Sequence, residues 1–267
     1  PAGRRDLEGY AVPRAAGASR PSAIPQPRAG HRSGGRPATG FSLVELLVVL
    51  GIVVLLLGML MPGLREVREA ARRLQCGNHM RMIGVGILAY GVDQLERLPY
   101  SRHAERKSFH DLMALTVSDP EPAFDGLGLL LPYQGRGYVD NRACFFCPSH
   151  CGEHEAEANL PRLHRPGPMR IFGNYHYRGH LNGETILRLG SEGDRLVLLT
   201  DGLRTRSDFS HLTGTNLLRS DGSVRWWHDA EGSFLRSLPV IPAGDGPDTS
   251  FEQLFNGFID RLGREAR

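Results

Sequence analysis

From Phe41 to Leu64 the chain is apolar apart from Glu45, the one charged residue before Arg65. The run is long enough for a tilted transmembrane helix. A carboxylate within a bilayer costs roughly 2.5–3.5 kcal/mol on insertion scales, so Glu45 calls for a partner. A cut between Gly40 and Phe41 would create one, because the new α-amino group would sit four residues before Glu45, at the N-terminal end of the same helix. In parallel helices the Glu45 of one copy could neutralise the terminal amine of the next.

The segment Gly40-Phe41-Ser42-Leu43-Val44-Glu45 resembles the type III signal of type IV prepilins and type II secretion pseudopilins. That resemblance implies cleavage after Gly40 and methylation of Phe41 by a prepilin peptidase/N-methyltransferase. It also implies an assembly role for Glu45, with Leu46, Leu47, Val48, Val49, Leu50, Ile52, Val53 and Val54 packing helix on helix. The leader is longer than usual, and its charge nearest the cut is Arg36. The competing reading is a plain signal anchor with Glu45 at headgroup level. A cleaved secretory signal fits worse, since the apolar region is too long and no small-residue site follows it.

Basic residues flank the span on both sides, with Arg28, Arg32 and Arg36 before it and Arg65, Arg68, Arg72 and Arg73 after. Charge alone therefore does not orient it. The prepilin resemblance does: it implies a single-pass protein of the bacterial inner membrane, with the bulk of the chain periplasmic. Pro1 in place of Met suggests that the start lies upstream or was removed.

Five segments are expected. Residues 1–40, rich in Pro, Gly, Ala, Ser and Arg, read as a disordered leader. Residues 41–62 form the membrane half of a long helix, 63–95 its extracytoplasmic part, 96–238 an α+β head, and 239–267 a linker and C-terminal helix. The formal net charge of +3 gives no basis for a nucleic-acid groove. After Pro62, where a kink is expected, Leu64, Val67, Ala71 and Leu74 recur at helical spacing. Gly77-Asn78 is expected to interrupt the helix before a second stripe, Met80, Ile83, Ile87 and Tyr90, on which a sheet would pack. The architecture expected is α+β and pilin-like: a long N-terminal transmembrane helix on a small antiparallel head.

Thr215–Arg219 and Ser223–Trp227 read as strands joined around Ser220-Asp221-Gly222, since Asp-Gly tolerates the positive φ of a tight hairpin. His211, nine residues and Asp221-Gly222 then resemble the H-x9-DG motif of a large bacterial group of pseudopilin-like proteins, the DUF1559 or SBP-type prepilin-like family. Further marks of that family stand in order: Arg72 to Asn78 leading to Ile83-Gly84, Cys147-Pro148-Ser149, Asn174-Tyr175, and Thr200-Asp201-Gly202. Residues 101–140 carry little that matches. His211 and Asp221 are first read as a local hydrogen-bonding device. Calcium on Asp201, Asp208 and Asp221 is a weaker reading, because their spacing fits no known loop.

Four cysteines, Cys76, Cys144, Cys147 and Cys151, leave three readings open. Outside the cytoplasm they read first as two disulfides. A Cys76–Cys147 bridge agrees with the family marks and would leave Cys144 with Cys151. Alternatively, Cys144, Cys147, Cys151 and His154 supply four zinc ligands within one loop. Free or redox-active thiols are the third reading. No other cofactor is expected.

Phe251, Leu254, Phe255, Phe258, Ile259 and Leu262 share one helical face behind a Thr249/Glu252 capping box, which predicts a C-terminal helix. No nucleophile, base and oxyanion set is evident, so an assembly subunit is expected rather than an enzyme. Its expected partners are the processing peptidase, other pilin-like subunits, a secretion or pilus apparatus and the membrane. The other reading is a membrane-anchored extracytoplasmic binding or metal-binding protein that uses the signal for sorting.

Overall fold

A computed structural model describes residues 40–101, 113–178, 180–181, 185–186, 196–211, 213–240 and 257. The leader before Gly40 and the C-terminal helix expected over 249–262 lie outside the described residues, apart from helical Gly257.

The chain divides at Val53/Val54. In the first part Ser42 caps the helix α1 (Leu43–Asp93). Its Oγ accepts from the Val44 N–H at 3.3 Å, and the Glu45 carboxylate accepts from the Ser42 N–H at 2.9 Å. This is a capping box, with two orphan amides satisfied reciprocally. Glu45 thus has a local partner in the uncut chain, which the sequence reading had reserved for a new amine. Every side chain from Phe41 to Val53 is exposed.

From Val54 onward α1 continues without a break to Asp93. Its backbone stays helical through Pro62 and through Gly77-Asn78, which corrects the expected interruption. A glycine within a helix costs only about 1 kcal/mol relative to alanine, and tertiary packing offsets it here. A Cβ on Gly84 would stand 2.8 Å from Leu218 Cδ1, and one on Gly86 would stand 2.4 Å from Val139 Cγ2. These glycines allow the rest of the fold to approach the helix closely. The predicted second stripe is the buried one: Cys76, Met80, Ile83 and Ile87 are at most 1% exposed, and Tyr90 packs at the edge of the same cluster. Each such aliphatic side chain contributes about 1.5–3 kcal/mol. The earlier stripe is different, since Leu64, Val67 and Leu74 remain exposed.

Strands β1 (Thr116–Val117) and β2 (Ala123–Phe124) pair antiparallel. A 3₁₀ turn at Arg142–Phe145 precedes a short helix α2 (Ala156–Asn159). The main sheet contains β3 (Tyr175–Tyr177), β6 (Val197–Asp201), β7 (Gly214–Arg219) and β8 (Val224–His228), antiparallel and in that spatial order. Between β3 and β6, β4 (His180–Leu181) pairs with β5 (Thr185–Ile186).

The predicted hairpin is present as β7 and β8. Leu218 faces Val224 and Asn216 faces Trp226, while Gly222 takes φ +79° at the turn. β7 is buried along its whole length because both sheet faces are covered. Leu218, Leu199 and Tyr175 join the cluster with α1. Leu217 and Val197 join a second cluster with Leu203, Phe209 and Leu238, against which Trp227 and the helix α3 (Ser233–Ser237) pack. The architecture is a long apolar N-terminal helix with small antiparallel sheets, an α+β arrangement.

Candidate functional site

The buried stripe of α1 begins with Cys76, and four side chains distant in sequence meet there. Cys76 lies on α1, Cys147 follows the 142–145 turn, Asp201 ends β6, and His211 lies just before β7. Their ligand atoms all lie within 4.8 Å of one another. They are 0%, 4%, 1% and 2% exposed respectively.

Each position follows from local structure. Cys147 is fixed by its own N–H, which donates to Asn174 Oδ1 at 3.1 Å, while Asn174 Nδ2 donates to the His154 carbonyl at 2.8 Å. Asp201 Oδ2 accepts from the Asn216 N–H at 2.6 Å, from Asn216 Nδ2 at 3.2 Å and from Thr215 Oγ1 at 3.3 Å. The Cys76 thiol donates to the other oxygen, Asp201 Oδ1, at 2.8 Å, and the Tyr175 hydroxyl lies 3.3 Å from the same sulfur. His211 Nε2 stands 3.5 Å from Cys147 Sγ and 3.8 Å from Asp201 Oδ2. Its Nδ1 is 2.7 Å from Glu69 Oε1, and Ser149 Oγ donates to the same carboxylate at 2.9–3.1 Å. Glu69 is 41% exposed and is the outermost member of the network. A groove lined by Glu69, Arg73, Thr213 and Trp226 reaches His211 from outside.

The electrostatics separate the two thiols. Burial, the Cys147 hydrogen bond and the charge of Asp201 push Cys76 well above the ordinary thiol value. Burial also disfavours a Cys147 thiolate, but the hydrogen bonds from Cys76 and His211 and the His211 charge outweigh it and bring Cys147 down to about 7. Burial opposes a charged His211, yet the Cys147 hydrogen bond, the charges of Asp201 and Cys147 and the Glu69 bond raise it to about 9. The two shifts bring Cys147 and His211 into the range where a proton is shared across their 3.5 Å contact.

The residues expected from sequence are distributed differently. Cys76 and Cys147 do come together, here as free thiols. Cys144 and Cys151 do not share their environment: Cys144 is buried in the core, where burial pushes it up to about 12, while exposed Cys151 contacts the Ser149 carbonyl. The expected zinc loop of Cys144, Cys147, Cys151 and His154 is not assembled. The His154 ring stacks on Phe172 at 4.5 Å, and Cys147 turns toward α1 and His211. Asp221 lies at the tip of the β7–β8 turn, where Oδ1 accepts from the Ser223 N–H at 2.8 Å. It fulfils the local role expected of it. His211 does not, since its partners are Glu69 and Cys147. Asp208 bonds Thr205 instead of joining Asp201 and Asp221, so the calcium trio is not gathered either.

Nothing in the local sequence marks Glu69, whose carboxylate reaches His211 from 142 residues away. Asp201 likewise stands far from both cysteines in sequence, and its contact with Cys76 spans 125 residues. The signal available was the co-occurrence of the marks, because Cys76, Cys147, Asn174-Tyr175, Asp201 and His211 all converge on one point.

Comparison with curated proteins and with solved structures returns no match. Residues 65–139 match the model of a family described as "Protein of unknown function (DUF1559)". The matched stretch contains Glu69, Cys76, the buried stripe of α1 and the 101–139 region that sequence reading could not align, whereas the marks from Cys147 to Gly222 lie beyond it. Through residues 65–139 the chain is similar to the DUF1559 family.

Proposed function

We propose that the chain is a pilin-like subunit, processed by a prepilin peptidase and assembled through its N-terminal helix into a type II secretion or type IV pilus-like structure. The observation that carries this reading is the uninterrupted exposure of apolar side chains from Phe41 to Met61, directly after the Gly40-Phe41 junction. Such a surface requires a membrane or copies of itself. Before processing the chain is held in the bacterial inner membrane with the α+β part outside the cytoplasm. Cleavage after Gly40 frees the Phe41 amine. Glu45 then neutralises the amine of a neighbouring copy through Oε1, the oxygen not engaged by the Ser42 N–H. The role is structural, with no catalytic step.

The test is the N-terminus and intact mass of the protein recovered from membranes of cells that contain a prepilin peptidase. A chain beginning at Phe41 with one added methyl group supports the proposal. An uncut chain refutes it and leaves an anchored binding protein. Glu45→Ala is expected to be cleaved but poorly incorporated into filaments.

A further inference from the structure

We propose that Cys76, Cys147, Asp201 and His211 form a closed, four-coordinate site for a zinc ion that ties α1 to the sheet. This rests on the cluster alone and is independent of the assembly role.

The donor set is appropriate, because two thiolates, an imidazole and a carboxylate are the ligands a structural zinc takes. In a tetrahedral site with bonds of about 2.0–2.3 Å, ligand atoms lie about 3.3–3.8 Å apart. Cys147 Sγ to His211 Nε2 is 3.5 Å, and the four ligand atoms all lie within 4.8 Å of one another, close enough for small side-chain shifts to draw them onto one ion. The Cys76 Sγ–Asp201 Oδ1 contact, at 2.8 Å, is shorter than a tetrahedral ligand pair, as expected of a thiol proton still shared between them. Zinc would displace the Cys76 thiol proton and the proton held between Cys147 Sγ and His211 Nε2, taking both sulfurs as thiolates and the ring as neutral imidazole.

The surrounding groups are arranged as a metal site requires. A ligating histidine commonly donates its second ring N–H to a carboxylate, which fixes its tautomer. Glu69 occupies that position at 2.7 Å from Nδ1, leaving Nε2 directed at the cluster. Asp201 Oδ2 is occupied by Asn216 and Thr215, which leaves Oδ1 as the ligand atom. Tyr175 is placed to donate to the Cys76 sulfur.

Two competing uses of the same residues account for less. A Cys76–Cys147 disulfide would remove the thiol proton that Asp201 Oδ1 accepts and leave Cys147 Sγ, 3.5 Å from His211 Nε2, unable to donate or take up a proton. A buried carboxylate oxygen and a ring nitrogen would then face neutral sulfur, and unmet buried polar groups cost about 1–3 kcal/mol each, more when charged. His211 Nε2 lies within ion-pair range of Asp201, 3.8 Å from Oδ2. A Cys147 nucleophile paired with His211 would need substrate access, yet Cys147 is 4% exposed and the groove ends at His211 and not at the sulfur.

The experiment uses the full chain, purified in detergent under a metal-free thiol or phosphine reductant. Elemental analysis after zinc loading and desalting is expected to give about one equivalent of zinc per chain. Cobalt(II) added to the zinc-free protein should produce the thiolate-to-metal charge-transfer band and the visible d–d bands of a tetrahedral site. Cys151→Ser should keep both signals, whereas Cys76→Ser and Cys147→Ser should lose them. Glu69→Gln, which leaves all four ligands in place, should weaken cobalt binding by roughly 10–100-fold. Because ligand variants can fail to fold, the decisive readings use the wild-type chain. Chelation of bound zinc should free two thiols to a disulfide-exchange reagent. No zinc and no cobalt spectrum in the reduced wild type, or a Cys76–Cys147 disulfide in protein taken directly from membranes, would overturn the site. So would unchanged cobalt affinity in Glu69→Gln.

Discussion

Replacing Gly86 by alanine sets two effects of known sign against each other on α1. Alanine gains about 1 kcal/mol over glycine inside a helix. At Gly63, where a Cβ would meet nothing within 4 Å, that gain should appear almost undiminished. At Gly86 the new methyl would stand 2.4 Å from Val139 Cγ2, against a favourable carbon–carbon separation of about 3.5–4.0 Å. Val139 cannot easily yield: its side chain is β-branched, 5% exposed, and its N–H is bonded to the Leu130 carbonyl at 3.0 Å. Overpacking of this kind costs about 1–3 kcal/mol, so Gly86→Ala should lose up to about 2 kcal/mol net. Gly84→Ala should fall between the two, because its obstacle at 2.8 Å is the end of the Leu218 side chain. For a domain of about 200 residues 1 kcal/mol moves the Tm by about 2–4 °C, so thermal melts of the detergent-solubilised chain, followed by far-UV circular dichroism, resolve the series. The expected order of Tm is Gly63→Ala, then Gly84→Ala, then Gly86→Ala. A Gly86→Ala protein melting as high as Gly63→Ala would refute the close packing of α1 on the 130–139 segment.

Three further outcomes follow from individual groups. In the folded, reduced chain, iodoacetamide should label Cys151 rapidly and leave Cys144 unlabelled until denaturant is added; equal native rates, read by peptide mass mapping, would contradict the burial of Cys144. Burial holds His79 and His150 below their ordinary value of 6.5, so the unfolded chain binds more protons than the folded one as pH falls below 6.5. Stability should therefore fall on acidification from that point, by up to about 1.4 kcal/mol per pH unit for each histidine. His79→Gln should flatten the pH dependence of Tm, and an unaltered slope would count against His79. Gly222→Ala, at φ +79°, should cost about 1–2 kcal/mol in the same melts, with Gly222→Asn milder because asparagine tolerates the left-handed region.

What could be read from sequence was whatever rests on periodicity or on turn chemistry. The stripe Met80, Ile83, Ile87 repeats at helical spacing, and Asp221-Gly222 demands a tight turn, so the buried face of α1 and the β7–β8 hairpin were both legible. The break at Gly77-Asn78 was misread because the packing that offsets a helical glycine comes from Asn216 and Val224, far along the chain. The candidate site failed for a related reason. Spacing rules favour ligands close in sequence, and Cys144, Cys147, Cys151 and His154 satisfy them, whereas the real neighbours of Cys147 arrive from α1, the end of β6 and the approach to β7. Glu69 had no local signal, since a helix surface rich in arginine and glutamate hides one carboxylate that faces inward.

The separation between His211 and Asp221 acquires a meaning once the hairpin is in view. The two residues serve different places, one in the buried cluster and one at the turn, and β7 fills most of the interval between them. Side chains alternate along a strand, so gaining or losing one residue in that interval would turn Leu217 toward α1 and send Leu218 and Asn216 to the opposite face. The nine-residue interval thus acts as a length gauge. It keeps the strand in phase with the helix groove cut by Gly77 and Gly84, and any sequence that keeps both ends of the motif must also keep the count.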